Sequence, residues 1–151
     1  MAQEESELIA VMAIKETYVS RMLNGSKKVE FRRIAPKRAI SHVVVYESQG
    51  CGQIVGYFEV AGVTNAKPDK LWKLFAESAG IERSEFFHYF DGTDKGTGIS
   101  IGSFFQLDEP MEITSINPSY RPPQSFYYLQ RGEFERIRRR KAESPSSQYV
   151  A

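Results

Sequence analysis

The stretch Gly25-Ser26-Lys27-Lys28-Val29-Glu30-Phe31-Arg32-Arg33 carries five ionisable residues in one short strand-like run. It follows a helical pattern that ends at Asn24-Gly25, a typical helix stop. Alternate side chains of a strand share a face, so two sets are expected to point to opposite sides: Lys28, Glu30 and Arg32 on one side, and Lys27, Val29, Phe31 and Arg33 on the other. A carboxylate between two cations at this spacing suits the binding of an anionic or strongly polar ligand.

The segments around this run predict a mixed α+β domain with a small, strongly curved sheet and flanking short helices. Strands are predicted at residues 8–14, 27–33, 43–46, 53–63, 97–105 and 111–116. Helices are predicted at residues 15–24, from Pro68 and from Ser84, with a turn leading into a helical turn at 122–129. Strands 43–46 and 53–63 lie too close together for a helical crossover, which excludes a doubly wound parallel sheet.

Composition narrows the class of protein. The 151 residues suffice for one domain with one good core, and the net charge of +1 means that nucleic acid would be attracted only by local patches. Cys51 is the only cysteine, and two scattered histidines add no zinc pattern. We expect no metal, no cofactor and no membrane span, a flexible leader at 1–7, and a cytoplasmic monomer or weak dimer.

The opening stretch also resembles the signature of a known family. The spacing of four of its residues resembles the G-x-K-x-x-E-x-R signature of the ASCH domain, a PUA-like β-barrel superfamily: Gly25, Lys27, Glu30 and Arg32. Further matching segments follow in the expected order: Val44–Ser48, Ile54–Val60, Phe86–Phe90 with Ile99–Ile101, and Pro123–Phe126. The similarity covers about residues 8–130 and leaves 131–151 as a basic, then serine-rich, C-terminal tail. It implies a PUA-like barrel with a cleft beside the helix-to-strand junction, and RNA or a modified nucleoside or nucleotide as ligand.

The first expectation is recognition of such a ligand in a cleft lined by polar and aromatic side chains: Lys15, Lys27, Glu30, Arg32, Tyr46 and Ser48. Arg32 and Arg33 are the best candidates for binding phosphate. Glu30 either accepts an amino group of a base, as carboxylates do from cytosine N4, or forms a structural salt bridge. Tyr46 either stacks on a base or packs in the core. Gln124 and Ser125 either add polar groups to the cleft or cap a short helix.

The alternative is an enzyme. Some small bacterial ASCH proteins resemble amidohydrolases that deacylate N4-acetylcytidine with the motif lysine as nucleophile or base. In those proteins the lysine is assisted by the residue three positions after it and by a glutamate just before a later helix. The corresponding residues here are Lys27, Glu30, where those enzymes have threonine, and Glu77. A lysine in a partly dry cleft can lose its proton near neutral pH; otherwise it pairs with a phosphate or with Glu30. Ribonuclease activity is a third possibility, although no carboxylate cluster for a metal is evident.

Two further patterns have structural or electrostatic interpretations. An aromatic cluster is predicted to pack two short helices onto the barrel: Trp72, Phe75, Phe86, Phe87, Tyr89 and Phe90. His88 and His42 are expected at the surface or in the core rather than as catalytic bases. The basic run from Arg136 to Lys141 either follows a nucleic-acid backbone or is a solvated, partly helical terminus.

Overall fold

The computed structural model describes residues 8–140, and the predicted leader at 1–7 and the serine-rich end of the tail lie outside this range. The six strands of the described residues are β1 (Leu8–Lys15), β2 (Val29–Arg32), β3 (Ile40–Ser48), β4 (Ile54–Ala66), β5 (Gly96–Met111) and β6 (Phe126–Leu129). Their four α-helices are α1 (Glu16–Leu23), α2 (Pro68–Phe75), α3 (Arg83–Tyr89) and α4 (Arg131–Arg139). Short 3₁₀ turns lie at Ala76–Ser78 and Ile113–Ser115.

All six strands form one sheet in the order β2-β5-β4-β3-β1-β6, which curls into a half-barrel. β1 and β3 run parallel, while the other four pairings are antiparallel. The parallel pair is possible because α1 and β2 separate β1 from β3 in the chain. The predicted α+β class with a small, curved, mixed sheet is confirmed.

The two faces of the sheet are covered by different helices. Alternation along β1 places Ile9 and Val11 in a core cluster that also contains Phe134 and Ile137 of α4. The alternate residues Ala10 and Met12 point to the other face of the sheet, where they lie in a second cluster with the buried side of α1. A third cluster packs α2 and α3 against β2 and contains all six aromatic residues of the predicted cluster, which confirms their packing interpretation. Helix α1 and β2 are therefore held firmly on both sides of their junction.

Two predicted elements are wrong because strand pairing overrides the local signal. The strand expected at 111–116 is replaced by β5, which continues through Pro110 to Met111 before a 3₁₀ turn. Pro110 is tolerated because the register between β4 and β5 shifts there, so the ladder does not need its missing N–H. The helical turn expected within 122–129 is the strand β6, which pairs with the free edge of β1. Its aromatic residues favour strand geometry.

The basic segment after residue 130, expected to be a tail, begins with a packed helix. Phe134 is 2% exposed and Ile137 is fully buried in the first cluster. A capping box starts α4, with the Glu133 carboxylate accepting the Gln130 backbone N–H at 2.9 Å. Residues 131–139 therefore belong to the folded unit, and their arginines lie on its outer face.

Candidate functional site

A half-open cavity of about 500 Å³ lies where the end of β1 meets α1, β2 and α3. Three cations line it: Lys15, Lys27 and Arg32. Two carboxylates, Glu30 and Glu85, share the cavity with them. A volume of this size falls within the range of small-molecule sites, roughly 300–1,000 Å³. The cavity therefore has the size of a small-molecule site.

The motif lysine reaches this cavity because it lies just before β2. Within β2, alternation holds: Val29 and Phe31 belong to the third core cluster, while Glu30 and Arg32 form an ion pair beside the cavity. The prediction that Lys27 points away from Glu30 is wrong, because strand geometry begins only at Val29. The Lys27 backbone N–H instead donates to the Arg21 carbonyl at the end of α1, which turns its side chain inward.

The Lys27 amine is held in an aromatic and nearly dry position. The residue is 3% exposed, and its Nζ donates to the Ala79 carbonyl oxygen at 2.9 Å. Nζ also lies 5.0 Å from the ring centroid of Tyr18 and 5.1 Å from that of Phe31. Burial lowers the pKa of this amine to about 8; the Glu30 carboxylate opposes that effect, and Arg21 and Arg32 add to it. A substantial share of the amine is therefore neutral near physiological pH.

The next two motif residues form a buried ion pair. Arg32 Nε lies 3.0 Å from Glu30 Oε2, although its N–H is not aligned with that oxygen for a hydrogen bond. Arg32 Nη2 donates to the Ala13 carbonyl oxygen of β1 at 2.8 Å, and Nη1 lies 3.5 Å from Ser125 Oγ. Arg32 therefore positions Glu30 and links β2 to β1, in addition to lining the cavity.

Three more of the residues predicted for the site line the cavity: Lys15, Ser48 and Gln124. Lys15 is exposed at the rim, and Ser48 lies opposite it in the parallel register of β1 and β3. Gln124 lines the cavity, while Ser125 contacts it through Arg32.

Besides Ser125, three predicted site residues do not line the cavity. Tyr46 is 8% exposed in the first core cluster, because strand alternation places it on the same face of β3 as the buried Val44. Arg33 is exposed, with its guanidinium 4.9 Å from the ring of Tyr89 on the outside of the fold. Glu77 is exposed on the 3₁₀ turn after α2 and does not line the cavity, so the proton relay expected of it is not assembled there.

The structure adds residues that the sequence analysis missed. Tyr18 of α1 donates from its hydroxyl to Glu85 Oε2 of α3 at 3.3 Å, and burial raises the pKa of this phenol, with the Glu85 carboxylate adding to the effect. Glu85 and Tyr89 both line the cavity, as does His88. Their spacing of three and four residues, which places them on one helix face, was the available signal. The aromatic residues of α3 mask this spacing, because their pattern predicts core packing.

The segment after α2 completes the wall around Lys27. Gly80 has a positive φ of 61°, and a Cβ there would overlap the Lys27 side chain. The Gly80 carbonyl accepts Arg21 Nη1 at 2.8 Å, which fixes the segment against α1. Glycine is therefore needed at this position for both its backbone conformation and its small size.

Residues 8–140 contain no group of three or more histidine, cysteine, aspartate or glutamate side chains placed to hold a metal ion. Within the same range, no helix combines the length and the apolar character needed to cross a membrane.

Comparisons with known proteins agree with this architecture. The model of the ASCH domain matches residues 12–125. An "ASCH domain-containing ribonuclease" from Zymomonas mobilis is 25% identical over 132 residues, which cover 85% of this chain and 88% of that protein. A crystal structure of ASCH from Zymomonas mobilis has a TM-score of 0.78 at 22% identity, covering 90% of this chain and 96% of that one.

A more distant structural neighbour is the N-terminal domain of McrB from Staphylothermus marinus. Its TM-score is 0.58 at 11% identity, over 91% of this chain and 95% of that one. Both structural likenesses concern the fold alone. The family match covers most of the chain and includes the four signature residues. The chain belongs to the ASCH domain family and has its PUA-like fold.

Proposed function

We propose that this protein binds RNA by taking one unstacked nucleotide into the cavity beside Lys27. The observation that carries the proposal is the meeting of the Lys27 amine and the Glu30 carboxylate in a half-open cavity of about 500 Å³. The rings of Tyr18 and Phe31 flank the amine. Sequence-specific recognition of RNA commonly relies on unstacked bases, which stack on aromatic rings and form hydrogen bonds through their edges. The rings and the two charged groups of this cavity suit both kinds of contact.

Each polar group has a distinct chemical use in this proposal. Glu30 pairs with Arg32 through Oε2, so its carboxylate can also accept an N–H of a base. Lys27 can donate to a base carbonyl or to a phosphate oxygen. Lys15, which is exposed at the rim, suits a phosphate that remains near solvent. The name of the Zymomonas mobilis relative, a ribonuclease, is consistent with an RNA ligand.

Lysine replacements at neighbouring positions test the proposal. Lys27→Met removes the buried amine, while Lys28→Met removes an exposed one and serves as the matched control. Binding to a fluorescein-labelled, random-sequence, single-stranded RNA of eight nucleotides is measured by fluorescence anisotropy. Losing a charge-assisted contact of about 1.5–3 kcal/mol should weaken the affinity of Lys27→Met for this RNA roughly 10- to 150-fold. Equal affinities for wild type and both variants would contradict the proposal.

RNA cleavage is a second candidate, favoured by the low pKa of Lys27 and by the named activity of the relative. A pKa of about 8 leaves about a quarter of the amine neutral at pH 7.5. The neutral amine would take the proton of a ribose 2′-hydroxyl. The 2′-oxygen would then attack the adjacent phosphorus while the bond to the 5′-oxygen breaks. His88 on the same wall would protonate that leaving oxygen.

Product analysis separates cleavage from binding alone. Products with 2′,3′-cyclic phosphate and 5′-hydroxyl ends, formed in the presence of EDTA by wild type and lost in Lys27→Met, would support this route. If wild type forms no more product than Lys27→Met, the site binds RNA without cleaving it by this chemistry. Deacylation of N4-acetylcytidine is not favoured, because Glu77 lies outside the cavity and the named relative is a ribonuclease.

We further propose that the protein acts in the cytoplasm as a monomer or weak dimer. One chain supplies every cavity residue described above. Sedimentation equilibrium at micromolar concentration tests the oligomeric state, and a tight dimer would contradict it.

A further inference from the structure

The loop between β2 and β3, residues 33–39, forms an exposed basic surface next to the cavity. Arg33, Lys37 and Arg38 are all exposed, and the loop contains no acidic residue. Neither ion pair found among residues 8–140 involves any of these three cations. Since the whole chain has a net charge of only +1, three cations in six residues form a local positive field.

This loop is held in place at both ends by tyrosines. The Arg33 backbone N–H donates to the Tyr89 hydroxyl at 3.1 Å, and the Arg33 guanidinium lies 4.9 Å from that ring. The Arg38 backbone N–H donates to the Tyr128 hydroxyl at 3.3 Å, and its guanidinium lies 5.9 Å from that ring. Each contact is modest, but together they reduce the conformational entropy that the loop would lose on binding a ligand.

The basic loop is also continuous with the cavity. Tyr89 lines the cavity, and its ring also contacts the Arg33 guanidinium of the loop. Arg33 directly follows Arg32, which lines the cavity from β2. A nucleic-acid strand with one base beside Lys27 would therefore leave the cavity next to the basic loop.

Ile34 points to the same conclusion. It is 73% exposed and is the most exposed large hydrophobic residue among residues 8–140. It lies between the cations of the loop rather than in the core. An isolated exposed apolar residue is ordinary, but here it would give a base or sugar an apolar contact beside the phosphate-binding groups.

We propose that the basic loop binds the phosphates that flank the nucleotide in the cavity, so that the ligand is a single RNA strand of several nucleotides rather than a free nucleotide. This inference rests on the proposed RNA-binding function. Arg33 and Arg38 offer planar forks for phosphate oxygens, and Lys37 offers a compact positive charge. Nucleotide identity would be determined in the cavity, and strand length by the loop.

The test compares binding across ligand lengths. Nucleoside 5′-monophosphates and unlabelled random-sequence RNAs of two, four and eight nucleotides compete with a labelled octanucleotide. The loop variant is Arg33→Gln/Lys37→Gln/Arg38→Gln. A matched variant, Lys67→Gln/Lys70→Gln/Lys73→Gln, removes the same charge from exposed positions at and just before α2, away from the cavity. Thermal melting verifies that both variants are folded.

We expect wild type to gain at least about tenfold in affinity from mononucleotide to tetranucleotide, as phosphate contacts are added. The loop variant should lose that gain but keep the mononucleotide affinity. Its slope of log affinity against log salt should fall by about 2, since each of three phosphate contacts on a single strand contributes about 0.7. The α2 variant should behave like wild type.

Three outcomes overturn the proposal. A loop variant with the length dependence and salt slope of wild type shows that the loop does not bind phosphate. An equal loss in the α2 variant shows a general charge effect with no dedicated surface. If wild type binds neither mononucleotides nor the octanucleotide, the proposed function itself fails and the loop inference fails with it.

Discussion

Replacing Lys27 with methionine should change how the stability of the protein depends on pH. The folded pKa of about 8 lies below the ordinary lysine value of 10.5. Between these two pH values the folded protein binds fewer protons than the unfolded chain, so the free energy of unfolding rises with pH. The cost of burying the charge is therefore present in full below pH 8 and has disappeared above pH 10.5.

The size of this effect follows from the difference between the two pKa values. At pH 7 the cost is roughly 3 kcal/mol, and at pH 10 it is about 1 kcal/mol. Lys27→Met keeps an unbranched stem between the rings of Tyr18 and Phe31 but has no charge to bury. It also leaves the Ala79 carbonyl without its donor, which costs about 1 kcal/mol at every pH. The stability of wild type relative to the variant should thus increase by about 2 kcal/mol from pH 7 to pH 10.

Urea unfolding at pH 7, 8, 9 and 10 measures this difference without adding salt that would screen charges. Lys28→Met, at an exposed neighbouring position, should leave the shape of the pH curve unchanged. If wild type and Lys27→Met differ by the same free energy at every pH, Lys27 titrates normally. A normal pKa would remove the argument for a neutral amine in the cavity.

Three further predictions concern the walls of the cavity and the boundary of the fold. Gly80→Ala should lower the free energy of unfolding by at least about 2 kcal/mol, because a positive φ there is combined with overlap of the Lys27 side chain. Gly92→Ala, which has a positive φ but open space around it, should lower it by only about 1 kcal/mol, and urea midpoints compare the two variants. Phe134→Ala should cost about 3–5 kcal/mol in the same assay if α4 belongs to the core, whereas a loss near zero would make it a dispensable tail. Tyr18→Ala should weaken RNA binding by about 1–3 kcal/mol in anisotropy titrations, whereas Tyr18→Phe, which keeps the ring, should lose little; equal losses in both variants would show that the hydroxyl bonded to Glu85 matters and the ring does not.

The fold was largely predictable because its signals are local or come from a resemblance. The apolar run of β1, the helix stop at Asn24-Gly25 and the two neighbouring strands β3 and β4 all appear, although β3 and β4 are longer than expected. The errors lie where distant pairing decides the outcome. Phe126–Leu129 became a strand because β1 offered a free edge, and neither that edge nor its register is visible in a sequence window.

The site was predictable only in part, for a similar reason. Lys27, Glu30 and Arg32 are close in sequence, so their meeting could be expected from the signature alone. Glu85 comes from a helix more than fifty positions later, and only the packing of α3 brings it to Tyr18. For Tyr46 the sequence leaves base stacking and core packing both open, because burial on one face of β3 depends on α4, a helix whose residues are predicted to form a tail.

The three charges of the signature serve different purposes, and this affects how their variants should be interpreted. The nitrogens of Arg32 face protein oxygens of Ala13, Ser125 and Glu30, and its strand β2 lies at the opposite edge of the sheet from β6 and its neighbour β1. The guanidinium therefore spans the open side of the half-barrel, and lysine could not replace its planar fork. RNA binding lost on replacing Arg32 would report a collapsed cavity wall as readily as a lost phosphate contact. The Lys27 side chain makes one hydrogen bond to the protein within the described residues, so its replacement is the one that reports on the ligand.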